Sequence, residues 1–301
     1  MDNHRPAGPA LTALLLVALS AAGCGTQRAE ALDGLTAELA RDALWDDGNA
    51  EFSVYDGRTR LERRERSFEA KIIVVKEDFV RQQLVKSDHG PLPGKTFEVL
   101  KMNLVRDIPT GLYTFHQMVS VFCDRQNLQP VKYAASSLES CGLVSVVAKP
   151  RDGSLQHVSH SYWDEEGDRT LMLEWPPNAA FYDALPLWLR GFDLEAPARF
   201  QIELLPTQWR NRVGTPELTR ASVEFLGPDT ARGGRLAVRL RRGEVEDRLW
   251  FEAENPHVLW RWEMGDGTTL VLRRTMRVPY WQRTAPEDQA LLGSPQEIAA
   301  P

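Results

Sequence analysis

From Glu51 onward, apolar and polar residues alternate in short runs, the period that leaves one face of a β-strand dry and the other wet. Phe52 and Val54 alternate with polar neighbours, and so do Phe68, Ala70, Ile72 and Val74. Between them the charged segment 58–66 reads as a hairpin end projecting into water. Runs 143–148 and 154–162 flank Arg151-Asp152-Gly153, a two-residue hairpin signal. In the C-terminal half, Leu236, Val238 and Leu240 alternate with Ala237, Arg239 and Arg241. Turn signals at Arg242-Gly243, Asn255-Pro256 and Gly265-Asp266-Gly267 then separate three more runs: Leu249 to Ala253, Val258-Trp260-Trp262-Met264, and Leu270-Leu272. This spacing predicts an antiparallel meander of about four strands with one greasy face.

Three stretches depart from period two. Leu32, Leu35, Leu39 and Leu44 predict an amphipathic helix over 27–45 that docks on the body. Pro176-Pro177-Asn178 introduces a short helix over 179–192, interrupted near Pro186. After about Arg283 the periodicity is lost, which predicts a loosely ordered tail over 284–301. The links between runs are too short to hold crossover helices, which argues against a parallel α/β sheet. The predicted class is mainly β: one large antiparallel curved sheet or partly closed β-barrel over 49–283, with an N-terminal helix and one short inserted helix.

The beginning of the chain follows another rule. Arg5 precedes the uncharged apolar run 11–19, which Ser20-Ala21-Ala22-Gly23 closes. A run of roughly 10–12 residues suits a secretory signal and is short of the about 20 that span a bilayer. Cys24 follows Ala-Ala-Gly directly and resembles the lipobox of bacterial lipoproteins, although Ala21 stands where that motif usually has leucine. The resemblance implies a signal peptide over 1–23, lipidation of Cys24, and a tether and helix over 24–48. An ordinary signal peptide with an incidental cysteine is the alternative. Several acyl chains, at about 0.8 kcal/mol per buried CH₂, make attachment effectively permanent. Gly25 occupies the place of the aspartate that often signals inner-membrane retention, which points to the outer membrane over the inner.

The chain of 301 residues carries a net charge of -6, and removing 1–23 takes away one acid (Asp2) and one base (Arg5). A mildly acidic body argues against nucleic acid as a partner. Cys123 and Cys141 remain beyond the lipobox, in a compartment that permits disulfides. The predicted turns place them at opposite ends of the sheet, roughly 20–25 Å apart at about 3.3 Å per residue. A disulfide needs Cα atoms within about 7 Å, so two free thiols are expected.

Candidate chemistry is sparse. His157 and His160 point to opposite faces of one strand, which argues against a shared metal. Segment 164–168 is acidic but lacks the alternating oxygen ligands of a calcium loop, and reads as an exposed turn. A two-residue turn at Asp152-Gly153 pairs His160 with Ser145, about 13 Å from Cys141, so a Cys-His dyad fails. No nucleophile elbow, His-Glu-x-x-His helix or phosphate-cradling glycine loop is present. No catalytic residue, metal or cofactor is therefore assigned. Trp250, Trp260 and Trp262 in the meander, with Trp175 and Trp188 near the inserted helix, can line a hydrophobic cavity or simply fill a sheet core. Arg239, Arg241, Arg261 and Arg273, interleaved with Glu252 and Glu263, read as a wet face with cross-strand pairs.

Segment 68–173 carries an ordered series of motifs. These are Val75-x-Glu77-Asp78-Phe79, Val85-Lys86-x-Asp88, Val99-Leu100-Lys101-Met102-Asn103, Thr110-Gly111-Leu112-Tyr113, Ser136-Ser137-x-x-x-x-Cys141-Gly142 and His160-Ser161-Tyr162-Trp163-Asp164-x-Glu166. The series resembles a group of uncharacterised bacterial lipoproteins, some labelled septum formation inhibitors. Ser140 stands where that group has tryptophan, and Cys123 is private to this sequence. The Ser-Pro-Arg-Arg-like phosphate site of true septum formation inhibitors is missing, so the resemblance implies an envelope lipoprotein and no activity. Its motif residues here are Lys101, Asn103, Thr110, Gly111, Tyr113, Cys141, Gly142, His160 and Tyr162. The expected function is a membrane-anchored, non-enzymatic envelope protein that binds a hydrophobic ligand or lipid in a β-rich cavity. A structural or protein-interaction module of the envelope is the alternative, and an enzyme using Cys141 or the acidic turn is a third.

Overall fold

The computed structural model describes residues 34–295; segment 1–23, Cys24, the tether to residue 33 and residues 296–301 lie outside them. The alternating runs form sixteen strands of one sheet. The first nine are β1 (Ala50–Leu61), β2 (Arg64–Val80), β3 (Val85–Lys86), β4 (Thr96–Pro109), β5 (Thr114–Asp124), β6 (Pro130–Glu139), β7 (Gly142–Arg151), β8 (Ser154–Ser161) and β9 (Arg169–Glu174). The others are β10 (Ala179–Phe181), β11 (Ala198–Leu205), β12 (Thr219–Asp229), β13 (Arg235–Arg242), β14 (Val245–Phe251), β15 (Leu259–Glu263) and β16 (Thr269–Val278). Strand order runs β10 through β16, then β1, β2 and β4 through β9, with β3 a short flap on β2. Two antiparallel meanders are thus stitched by the β1–β16 pairing, Ala50 opposite Val278. The path ends on β9 and β10, so the sheet curves without closing.

The hairpin signals act as predicted. Glu62 and Arg63 (φ 52° and 64°) and Asp152 and Gly153 (φ 50° and 76°) take the paired left-handed conformations that suit the twist of flanking strands. Arg151 therefore pairs with Ser154 and His160 with Ser145. Cys123 is buried and Cys141 is exposed beyond the far end of β6, and both are free thiols. On the wet face of the meander Arg239 pairs with Glu224 at 2.9 Å and Arg241 with Glu246 at 2.8 Å.

The inserted segment fills the sheet. Every residue from 179 to 192 is buried. Tyr133 of β6 stacks on Phe181 with ring centres 4.8 Å apart, while Trp262 of β15 packs on Tyr182 at 5.2 Å. Both meanders thus close on the same segment, which joins them into one core. This segment is not the predicted interrupted helix. Its first residues form β10, parallel to β11, and one α-turn, α2 (Leu185–Trp188), is flanked by 3₁₀ turns. Pro186 sits in the first turn of α2, where a missing N–H costs nothing, so it starts the helix rather than interrupting it.

Four other expectations change. The N-terminal helix shrinks, among described residues, to α1 (Glu38–Arg41) and a 3₁₀ turn, because Ala37 in a left-handed conformation limits it at its start. Phe52 does not face the core: its partner across β2 is Ile73, while Glu51 lies opposite core Val74. Opposite Trp250 and Phe251 the register passes from Arg261 to Leu259, a bulge at Trp260 of β15, so Leu259 and Trp262 face inward and the strict Val258-Trp260-Trp262 alternation fails. The tail over 286–292 is a 3₁₀ helix whose carbonyls at Leu291 and Leu292 accept from Arg274 and Arg273.

Candidate functional site

The two ends of the sheet differ. At one end the chain enters: Arg41 bonds the carbonyl of Gln126 in the β5–β6 turn, and Arg277 that of Leu44. This is the tether end. At the other lie the β1–β2, β4–β5, β6–β7, β8–β9, β13–β14 and β15–β16 connections and the long β11–β12 loop. Here a cavity of about 510 Å³ opens between the β11–β12 loop, Tyr182, Arg242 and Asp266, with Glu166, Thr207, Gln208, Arg210 and Arg212 on its walls. This is the mouth.

Inward-facing positions under the mouth are polar. Arg106 on β4, Gln117 on β5 and Ser137 on β6 are consecutive partners across the sheet, and all three are buried. Arg106 donates from Nε to Gln117 Oε1 at 3.1 Å, and its guanidinium lies 3.5 Å from the Trp209 ring centre. Burial lowers the Arg106 pKa to about 10, against the raising fields of Asp266 and Asp183. Deeper in, the Tyr133 hydroxyl donates to Asp183 Oδ2 at 2.7 Å and accepts from the Gln208 backbone N–H at 3.1 Å. Burial pushes the Asp183 carboxyl up to about 6, although the Tyr133 hydrogen bond, the nearby Thr207 hydroxyl and the charge of Arg106 oppose it. His157 is wholly buried one strand beyond Tyr133's partner Ala148. Burial holds its imidazole below the usual range, against an opposing pull from the Gln208 side chain. Asp183 Oδ1, Thr207 Oγ1 and Gln208 Oε1 are buried and make no hydrogen bond of ordinary length and angle. Unpaired buried polar atoms cost roughly 1–3 kcal/mol each, so three together under one cavity mark a place built for more than packing.

The β11–β12 loop is held over this floor by the β4–β9 limb. Val213 N donates to Glu166 Oε2 at 3.0 Å, Trp163 Nε1 donates to the Asn211 carbonyl, and Gln208 is pinned through Tyr133. Burial would raise Glu166, yet hydrogen bonds from Ser161 and from the Val213 and Gly214 backbone overcome it and keep this carboxyl below its ordinary range. The predicted acidic turn therefore also serves as a clamp.

The five tryptophans do not share a cavity. Trp175, Trp188 and Trp262 are core residues. Trp250 lies outside, donating to Asp229 at 2.9 Å under the Arg232 guanidinium, and Trp260 stacks beneath Arg235 at 4.1 Å. Ordinary alternation turns Trp250 outward between core Leu249 and Phe251, and the bulge does the same for Trp260. The motif residues fall into two groups. Lys101 bonds Glu77 at 2.7 Å on the outer face, and Asn103 accepts from Ser120. Thr110, Gly111 and Tyr113 form the β4–β5 turn, where Gly111 has φ 106° and Thr110 N donates to the Tyr113 carbonyl. Leu138, Leu143 and Tyr162, all exposed, border that end of the outer face. Gly142 belongs to the Tyr162 packing: a Cβ there would meet the ring at 2.6 Å. His160 contacts Asp168 at 3.2 Å, and the pairing with Ser145 keeps it away from Cys141, so no dyad assembles.

Sequence reading missed Arg106, Tyr133, Asp183 and Gln208. One signal was present, because Arg106 has the same strand parity as Met102, Leu104 and Ile108, all buried. No family model and no curated protein matches the chain. Its fold is similar to the crystal structure of a β-barrel-like protein of domain of unknown function DUF1849 from Brucella abortus. The TM-score is 0.45 at 11% identity, over 76% of this chain and 98% of that one.

Proposed function

We propose that this chain is a lipid-anchored, non-enzymatic protein of the bacterial envelope, held through Cys24 in the outer membrane in preference to the inner. Its mouth cavity binds a small polar ligand. One observation carries the binding reading: a cavity of about 510 Å³ over buried polar atoms that make no ordinary hydrogen bond. Barrel mouths are common places for such sites. The expectation of a hydrophobic ligand among tryptophans gives way to a polar one, because the chain's own segment 179–192 occupies the interior. Three arginines (Arg210, Arg212, Arg242) and three acids (Glu166, Glu217, Asp266) line the cavity, which favours a ligand carrying both donors and acceptors over a simple anion.

The anchor is tested by Cys24→Ser, which should move the protein to the soluble fraction; unchanged membrane attachment would overturn it. For the cavity, native mass spectrometry of the chain extracted from envelopes should find a bound polar molecule. Thr207→Val and Arg210→Glu should lose it. An empty chain, or retention in both variants, would count against the mouth as a site. A second reading, docking of an envelope protein, is favoured by the exposed row Leu138–Leu143–Tyr162 beside the fully exposed Leu112.

A further inference from the structure

On the outer face at the tether end, a groove of about 560 Å³ is lined by Trp45, Glu77, Asp78, Lys86, Lys101 and Trp281, among others. Its chemistry is that of an interface between water and something greasy. Trp281 is 49% exposed with its ring edge-on to Tyr280. Lys86 is 66% exposed, and its nearby acid Glu77, 3.7 Å away, is already held by Lys101 at 2.7 Å. The flap segment 81–95 carries Arg81, Lys86 and Lys95 against the single acid Asp88, in a chain whose net charge is -6. Lys95 and Arg81 are adjacent, since Arg81 N donates to the Lys95 carbonyl at 3.0 Å.

The chain itself says what faces this groove. Trp45, Asp46, Gly48 and Asn49, part of the first described stretch, form one wall. Cys24 lies ten residues before Gly34, and a stretch of that length reaches at most roughly 35 Å. An acylated Cys24 therefore keeps the body within a short radius of a bilayer. Tryptophan beside lysine is the pairing that settles at headgroup level.

We propose that the groove, with Trp281 as its apolar contact and Lys86 as its charge, and with Arg81 and Lys95 of the same flap beside it, rests on anionic lipid headgroups. This second contact rests on the anchor reading, adds to the acyl chains and turns the mouth away from the membrane. Each base facing anionic lipid strengthens such a contact about fivefold.

The test uses the acylated full chain reconstituted in phosphatidylcholine vesicles, with or without phosphatidylglycerol, containing brominated lipid. Flotation comes first: a chain that fails to float with the vesicles overturns the anchor and this contact with it. For a chain that floats, bromine should quench a tryptophan component that Trp281→Phe removes. That component should be larger with phosphatidylglycerol and should fall severalfold in Lys86→Glu and in high salt. Floating vesicles with equal quenching in the parent chain and Trp281→Phe overturn the contact and leave the anchor standing. Quenching indifferent to phosphatidylglycerol and to Lys86→Glu overturns the anionic specificity.

Discussion

Arg190 and Arg106 are both guanidiniums buried inside the sheet, one near the tether end and one under the mouth, and they are neutralised in different ways. Arg190 makes two parallel bonds to Glu51, at 2.9 and 2.8 Å, and a third to the Pro256 carbonyl. Its charge is met by a carboxylate of matching shape. Arg106 meets a neutral amide, Gln117, and an aromatic ring, Trp209, with Asp266 and Asp183 acting on it only through space. Near it lie the cavity and the buried oxygens of Asp183, Thr207 and Gln208 that make no ordinary hydrogen bond. A closed ion pair is a structural clasp, whereas a half-satisfied network beside open space is where a ligand's polar groups have something to gain.

The comparison can be broken most directly at the clasp. Glu51→Ala leaves Arg190 buried and unpaired, and should cost about 3–5 kcal/mol in urea unfolding. Arg106→Met, which removes the charge itself, should cost less. The reverse order would mean that the mouth, not the tether end, holds the fold together. Next comes pH. The Asp183 pKa is raised to about 6, so the stability contributed by its neutral form is complete below about 4 and is lost as pH rises through about 6. The loss is on the order of 3 kcal/mol, and Asp183→Asn should flatten the unfolding free energy across that window. An unaltered slope would place the titration elsewhere.

Smaller effects separate the inner and outer faces. Gly142→Ala forces the Tyr162 ring off its seat and should cost about 1–2 kcal/mol. With Tyr162→Ala in the same chain the penalty should shrink, and strict additivity would contradict the contact. The thiols give the mildest test. Cys141 is exposed and Cys123 is buried, its pKa pushed up to about 12 by burial and by Asp124. A thiol reagent should modify Cys141 in the native protein and reach Cys123 only on unfolding.

Much of the frame was readable in advance because strands and two-residue turns are local. The Asp152-Gly153 turn set the pairing of His160 with Ser145, and the four-stranded C-terminal meander formed as predicted except for the bulge at Trp260. The mouth was not readable, since its floor joins Arg106, Tyr133, Asp183 and Gln208 from four distant segments. Asp183 sits inside an apolar run and has no local signature. The tryptophans misled because residue type says that a side chain seeks cover, not which face supplies it: Trp262 found the core, and Trp260 found Arg235.

By itself, then, the sequence determined a mainly β body and its hairpin registers. Alternation and turn chemistry act over a few residues, and that range suffices for both. Only the tertiary structure decided which polar residues turn inward. Period two assigns faces reliably while one face stays wet, but β1 is covered on both sides and the bulge at Trp260 resets the alternation of β15. Burial of Glu51, Arg106 and Asp183 depends on the segment around which the sheet curls, and that meeting of distant residues is set by packing alone.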